Sequence, residues 1–326
     1  PVLVEVPWPE RAFSPWPAFA LLALVGAFVA VRSLRRGNRF VTALGGALAL
    51  AALALAFTTR GARFSAGPIE VRSWGVAFAF ALAAGSALAI RRGVEKGLAR
   101  ELVADACIAA AVGGVVGARL VWVFLHSAAT GSVDGAFGFY RGGLSAWGGI
   151  AGAIAGAAIT ARRREASLTL LCDAAAPSFG LCVALTRFGC FLEGCDFGVP
   201  LGSGAPHFLA TLGTFPKGSP AWANHVLTRG LSPSTSAALP VHPIELYEAV
   251  GGMALIALAF VLDRRKRGSG VAFGGVAVGY LLLRVSLDWL RDDPVDMWVS
   301  RALLFPVLFG AMVIFSHFRS RAKREK

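Results

Sequence analysis

Apolar runs of about 20 residues, separated by short basic clusters, dominate this chain and restrict what it can fold into. Lipid offers no water to backbone N–H and C=O groups, so a run of that length crosses a bilayer as a helix that satisfies its own hydrogen bonds. Nine such runs are read, at roughly 16–31, 40–57, 74–90, 102–125, 144–161, 168–192, 243–262, 271–290 and 299–318. A soluble globule is excluded by a hydrophobic content of 56%, a charged content of 16% and a mean hydropathy of +0.64. The fold class expected is therefore an all-α integral membrane protein with about nine transmembrane helices. In a soluble domain a net charge of +13 would suggest nucleic acid. Here the basic residues fall between apolar runs, and no nucleic-acid partner is expected.

Those basic clusters set the topology. Arg32, Arg35, Arg36 and Arg39 form the first, and Arg91, Arg92, Lys96 and Arg100 the second. Arg162–Arg164, Arg264–Arg267 and the tail from Arg319 to Lys326 complete the series, so every second connection is basic. The positive-inside rule makes these segments cytoplasmic. It places the N-terminus outside, the C-terminus inside, and the 58–73, 126–143, 196–241 and 291–298 connections outside. The first run is read as a membrane helix, because its positive charges follow the apolar stretch where a secretory signal carries them in front. The long 196–241 connection, rich in Gly, Pro, Ser and Trp, reads either as a small external loop domain capping the helices or as a disordered tether. Gly113/Gly117 and Gly148/Gly152/Gly156 are spaced to let two helices approach closely in lipid. Cys107, Cys172 and Cys182 lie inside apolar runs, where a thiol is usually a small buried hydrophobe, so no disulfide framework is indicated.

A charge in hydrocarbon is costly and normally retained for a purpose, and the ionisable residues here are lopsided. Arg119, Arg187, His242, Glu245, Glu248, Arg284, Asp288 and Arg291 all lie toward the outer ends of their runs. Arg284, Asp288 and Arg291 are spaced i, i+4, i+7 and are expected on one helix face. With Arg72 and Arg141 nearby, five or six guanidinium groups are expected to converge with several carboxylates and an imidazole. Arginine grips phosphate oxygens in a bidentate fork, so such a set suits the phosphodiester of a phospholipid headgroup. The competing reading has each Arg snorkelling to the interface or tying helices together through an acid. Asp105 and Asp173, near the cytoplasmic ends, read as helix-to-helix ties, and Pro177 predicts a kink in the sixth run. No spacing of metal ligands is convincing, and no cofactor is expected.

These residues fall in six ordered blocks: Ile69-Glu-Val-Arg-Ser-Trp74-Gly, Gly113-Gly-Val-Val-Gly-Ala-Arg119, Gly142-Gly-Leu-Ser-Ala-Trp147-Gly-Gly, Arg187-Phe-Gly-Cys190-Phe-Leu-Glu-Gly194, Val241-His-Pro-Ile-Glu-Leu-Tyr-Glu248 and Arg284-Val-Ser-Leu-Asp-Trp-Leu-Arg291. In content and order they resemble the prolipoprotein diacylglyceryl transferase family. The resemblance implies a seven-helix transferase-like membrane domain over 69–326, preceded by a two-helix extension over 1–68. It implies a bacterial inner-membrane enzyme that moves the diacylglyceryl group of phosphatidylglycerol to the lipobox cysteine thiol of a prolipoprotein, with glycerol phosphate leaving. The partners it implies are phosphatidylglycerol, prolipoprotein signal peptides and membrane lipid. In that scheme Arg187, Arg284 and Arg291 hold the phosphate, and Arg141 and Glu248 shape the headgroup pocket. Trp74, Trp147, Cys190 and Tyr247 line it, and catalysis draws on Arg187, Arg284, Glu248 and His242.

The chain departs from the family pattern at several points. Trp74 stands where many members carry Tyr, and Trp147 where many carry His, and an indole accepts no proton. Cys190 replaces a frequent Asn, and Cys195 an acid. Glu245, Glu248 and His242 are candidates for the base by position alone. Cys190 and Cys195 read as passive replacements or as a redox or acyl-carrying pair; on a continuous helix they point apart, so a disulfide needs the helix to end near Gly194. The alternative function is a catalytically altered or inactive homologue that binds lipid or modifies a different acceptor.

Overall fold

The computed structural model describes residues 2–6, 69–125, 143–265 and 270–292, together with the single positions 24, 27, 31 and 50. The expected runs at 16–31 and 40–57, apart from those four positions, and the run at 299–318 lie outside the described residues, as does Arg141. The chain divides into two compact units, residues 2–71 and residues 72–326. In the first, β1 (Val2–Val6) and β2 (Ile69–Arg72) pair as a two-stranded ribbon.

The second unit is helical. Its elements are α1 (Ser73–Glu95), α2 (Arg100–Leu125), α3 (Ala146–Arg163), α4 (Leu168–Glu193), α5 (His207–Leu212), α6 (Pro220–Thr228), α7 (Ile244–Arg265) and α8 (Val271–Asp288). Five of these, α1, α2, α4, α7 and α8, are long and apolar enough to cross a membrane. Phe80 on α1 and Ile108, Leu120 and Phe124 on α2 are exposed large apolar side chains, an arrangement that suits lipid and not water.

Small residues govern the packing. A Cβ on Gly113 or Gly117 of α2 would run into the backbone carbonyl of Gly152 or Gly148 on α3, so only glycine allows this approach. Gly180 of α4 and Gly252 of α7 meet in the same way, with a Cβ on Gly180 lying 2.8 Å from the Gly252 carbonyl oxygen. The helices also sort their charges by end. At one end Asp263 of α7 pairs with Arg92 and Lys96, and Asp105 of α2 pairs with Arg164. At that same end Asp173 of α4 accepts N–H bonds from Gly270 and Phe273, each at 2.9 Å, and so caps α8. Asp105 and Asp173 thus act as the ties read from the sequence. Arg187, Glu248 and Arg284 gather at the opposite end.

The 196–241 connection carries α5 and α6, with Ser219 accepting the Trp222 N–H at 3.2 Å to start α6. Backbone bridges join Pro200 to Val241 and Pro216 to Ala237, around a buried cluster of Phe197, Phe215, Ala221, Ala238 and Val241. His225 is fully buried on α6, and its Nδ1 accepts the Leu239 N–H at 3.2 Å. Burial holds the His225 pKa below its ordinary value, and Arg229 adds to the effect.

Candidate functional site: an arginine cluster at one end of the bundle

Three helices deliver the site. Arg187 lies in the last two turns of α4, Glu248 in the second turn of α7, and Arg284 in the last turns of α8. Glu248, 1% exposed, stands between the two arginines. Its Oε1 accepts from Arg284 Nη1 at 2.5 Å, and its Oε2 lies 2.5 Å from Arg187 Nε at ion-pair distance. Arg187 also donates through Nη1 to Asp196, whose other oxygen accepts from Arg291 Nη2 at 2.6 Å. Two acids therefore link three guanidiniums into one network. The arginines do not each retire to an acid of their own, which is what simple helix tying would give.

Local structure explains how Asp196 reaches this position. α4 ends at Gly194, which adopts the left-handed conformation (φ 76°) and turns the chain back on itself. Asp196 follows with φ 63°, a conformation that asparagine and aspartate tolerate better than most residues. Cys190 sits inside the same corner, 3% exposed, with its Sγ 3.6 Å from Asp196 Oδ2 and 4.0 Å from Arg187 Nη1. The sequence reading put Arg284, Asp288 and Arg291 on one helix face. In the structure α8 ends at Asp288, and Arg291 lies beyond it in a backbone bridge with Gly198. It enters the network from the segment that follows the helix, not from the helix itself. Burial works against the Arg291 charge, but Asp196 beside it outweighs that and raises its pKa above the ordinary value.

Other candidates are placed elsewhere. Arg72 meets Glu193 at 3.1 Å, and Ser73 donates to the same carboxylate at 2.8 Å. Arg119 donates to the Gly143 carbonyl at 2.8 Å and lies over the Trp122 ring at 4.7 Å. Gly143, at φ 86°, faces the same indole so closely that a Cβ would sit 2.5 Å from it. The glycine before Trp147 therefore serves packing. Trp74 stacks on Phe78 at 5.2 Å, and Trp147 is half-buried at the start of α3. The His242 ring faces Tyr247, with Nδ1 3.4 Å from the phenol oxygen, while its backbone is bracketed by Val199 and Gly198.

Sequence reasoning gave no role to Asp196, which the network uses at both oxygens. Its signal was present as an acid just past the Arg187 block. Glu245, one turn before Glu248, is fully buried, and among the described residues neither of its oxygens accepts a hydrogen bond from another residue. Cys190, Cys195 and Asp196 bring ligand atoms within 4.8 Å of one another. With Asp196 already paired to two guanidiniums, a cation placed there would be repelled by both, and the donor set does not fit a metal centre.

The fold and this cluster define a multi-pass membrane protein that concentrates guanidinium groups at one end of its helix bundle. The family model for prolipoprotein diacylglyceryl transferase matches residues 61–317. A phosphatidylglycerol–prolipoprotein diacylglyceryl transferase of Paenarthrobacter aurescens is 33% identical over 270 residues, covering 79% of this chain and 81% of its own length. Its counterpart in Mycobacteroides abscessus is 30% identical over 238 residues, covering 71% of this chain and 68% of its own. That of Geobacter sulfurreducens is 26% identical over 264 residues, covering 78% and 90%. The chain belongs to the prolipoprotein diacylglyceryl transferase family.

Proposed function

We propose that this protein transfers the diacylglyceryl group of phosphatidylglycerol to the lipobox cysteine thiol of prolipoproteins at the outer face of a bacterial inner membrane. The observation that carries the reading is the sharing of Glu248 and Asp196 among Arg187, Arg284 and Arg291. Such a network sets three guanidiniums side by side for a single phosphate, whereas independent ties would leave them apart. The substrate thiol gives up its proton, which water carries to the departing phosphate, and its thiolate attacks the glycerol carbon that bears the phosphate ester. That carbon–oxygen bond breaks with its electron pair going to the phosphate, and glycerol phosphate departs. Arg187, Arg284 and Arg291 stabilise the anion as it leaves, in a site where low dielectric strengthens each contact. Glu248 orients the forks of Arg187 and Arg284. Arg141, Trp74, Trp147, Cys190 and Tyr247 complete the headgroup pocket, with His242 held beside Tyr247.

The positive-inside rule supports the orientation. The basic ends of α1, α3 and α7 face the cytoplasm, the arginine network and the 196–241 segment face outward, the N-terminus lies outside and the C-terminus inside. A nine-helix topology follows if the apolar runs at 16–31, 40–57 and 299–318 also span, with 1–68 forming an extension to the 69–326 core. A second reading draws on Trp147 and Trp74, which supply neither an imidazole nor a phenol: a homologue that keeps the lipid site and has lost or changed the transfer.

One experiment separates the two. In proteoliposomes containing phosphatidylglycerol labelled in its acyl chains, the parent protein is expected to label a lipobox peptide in proportion to time, while Arg187→Ala and Arg284→Ala fail. A parent that binds phosphatidylglycerol but never labels the peptide supports the altered homologue and ends the transferase reading.

A further inference from the structure

Cys190 and Cys195 are five residues apart, a spacing that on an unbroken helix sends the side chains to different faces. The end of α4 changes this. Cys195 N–H donates to the Cys190 carbonyl at 3.2 Å and Gly194 N–H to the Phe191 carbonyl at 3.3 Å, with Gly194 left-handed between them. This is the double hydrogen-bond pattern of a Schellman cap, whose geometry brings the side chain three residues before the cap into contact with the one two residues after it. In most proteins that contact is apolar. Here both positions are cysteine. The two sulfurs lie within 4.8 Å of each other, and Cys195 Sγ is 3.8 Å from the Cys190 carbonyl oxygen. Bringing them to bonding distance takes at most about 3 Å of combined movement. Cys190 is buried and Cys195 half-buried, so one sulfur is open to an external reagent while the other waits behind it.

We propose that Cys190 and Cys195 form a reversible intramolecular disulfide that modifies the arginine network. A small disulfide RSSR is attacked by Cys195, giving Cys195–S–SR and one RSH. Cys190 then attacks the Cys195 sulfur and displaces the second RSH. The two thiols lose two hydrogens, RSSR gains them, and a dithiol reductant reverses both steps. The bond takes the Cys190 sulfur away from Asp196 Oδ2, to which it now donates at 3.6 Å, and Asp196 is the acid that joins Arg187 to Arg291. Oxidation therefore alters the anion-holding corner directly. Only this consequence for transfer rests on the function proposed above; the disulfide stands on geometry.

The test uses the full chain in nanodiscs, treated with oxidised glutathione or with dithiothreitol, then denatured and counted for maleimide-reactive thiols by intact mass. Five thiols are expected after reduction and three after oxidation, with a peptide map placing the bond between residues 190 and 195. Five thiols after oxidation, or a bond among Cys107, Cys172 and Cys182, overturns the proposal. In Cys195→Ser the oxidant should leave Cys190 free, and loss of that thiol as well would overturn it. Oxidised parent protein should transfer about fivefold more slowly, with full recovery on reduction, while the rate of Cys195→Ser ignores the oxidant. An unchanged parental rate despite a mapped bond overturns the coupling. A parent inactive in both states refutes the transferase reading instead, and the thiol count still decides the disulfide.

Discussion

Replacing Glu248 with Gln tests the network at its most buried point. The substitution keeps the shape and one acceptor oxygen but removes the charge that stands between Arg187 and Arg284, each 2.5 Å away. Arg187 retains Asp196, whereas Arg284 loses its one acid partner among the described residues. Removing one partner from a buried pair typically costs about 3–5 kcal/mol, because the other charge stays buried without compensation. The arginine side chains are 16% and 13% exposed, and the amide still accepts one bond, so the lower end, about 3 kcal/mol, is the expected loss. For a chain of this size that corresponds to a fall in thermal midpoint of roughly 4–5 °C. The assay is thermal unfolding in nanodiscs of phosphatidylcholine and again of phosphatidylglycerol. The fall should be full in the first and smaller in the second, where an anionic headgroup supplies the missing charge to Arg284. A variant as stable as the parent in phosphatidylcholine would refute the view that Glu248 neutralises these arginines. A fall of equal size in both lipids would refute the view that the freed guanidinium meets a phosphate.

Arg284→Lys should lower the transfer rate about a hundredfold while membrane expression persists, since an ammonium cannot reproduce the two-pronged donor; steady-state kinetics in proteoliposomes measures it. Gly117→Val places a side chain against the Gly148 carbonyl and should destabilise the α2–α3 contact by about 1–3 kcal/mol, read as loss of monodisperse protein on gel filtration. The His225 pKa is lower folded than unfolded, so the unfolded chain binds more protons below its pKa of about 6.5, and stability is lost as pH falls through that value. Hydrogen exchange at the Leu239 amide, corrected for intrinsic rate, should therefore speed up between pH 7 and pH 5, because a protonated Nδ1 no longer accepts its N–H.

Much of the helical framework is legible in the sequence because length and composition decide it. The apolar runs from 74 to 290 coincide with α1, α2, α3, α4, α7 and α8, and the glycine spacings at 113, 117, 148 and 152 find each other in space. The gathering of Arg187, Glu248 and Arg284 is legible too, since depth along alternating helices can be counted. What could not be read is pairing. Arg72 lies at a similar depth to Arg187 but meets Glu193, a choice made by how α1 packs on α4. Asp196 enters the site only because the chain reverses at Gly194, and Arg291 only because α8 stops three residues earlier than helical periodicity implies. Periodicity describes a face; it says nothing of what a cap or a trailing segment folds back onto that face.

The shared acids carry a further consequence. Glu248 and Asp196 are resident counter-ions, and they also latch α4, α7, α8 and the segment after α8 together. On the function proposed above, a phosphate arriving from the membrane would meet forks already occupied by carboxylates and would have to exchange with them. Loading the substrate is then an ion exchange that loosens the latch at one end of the bundle, while Asp173 keeps α4 fastened to α8 at the other. On that reading the bundle would be free to part at the site end alone, and the headgroup's own charge would be what frees it.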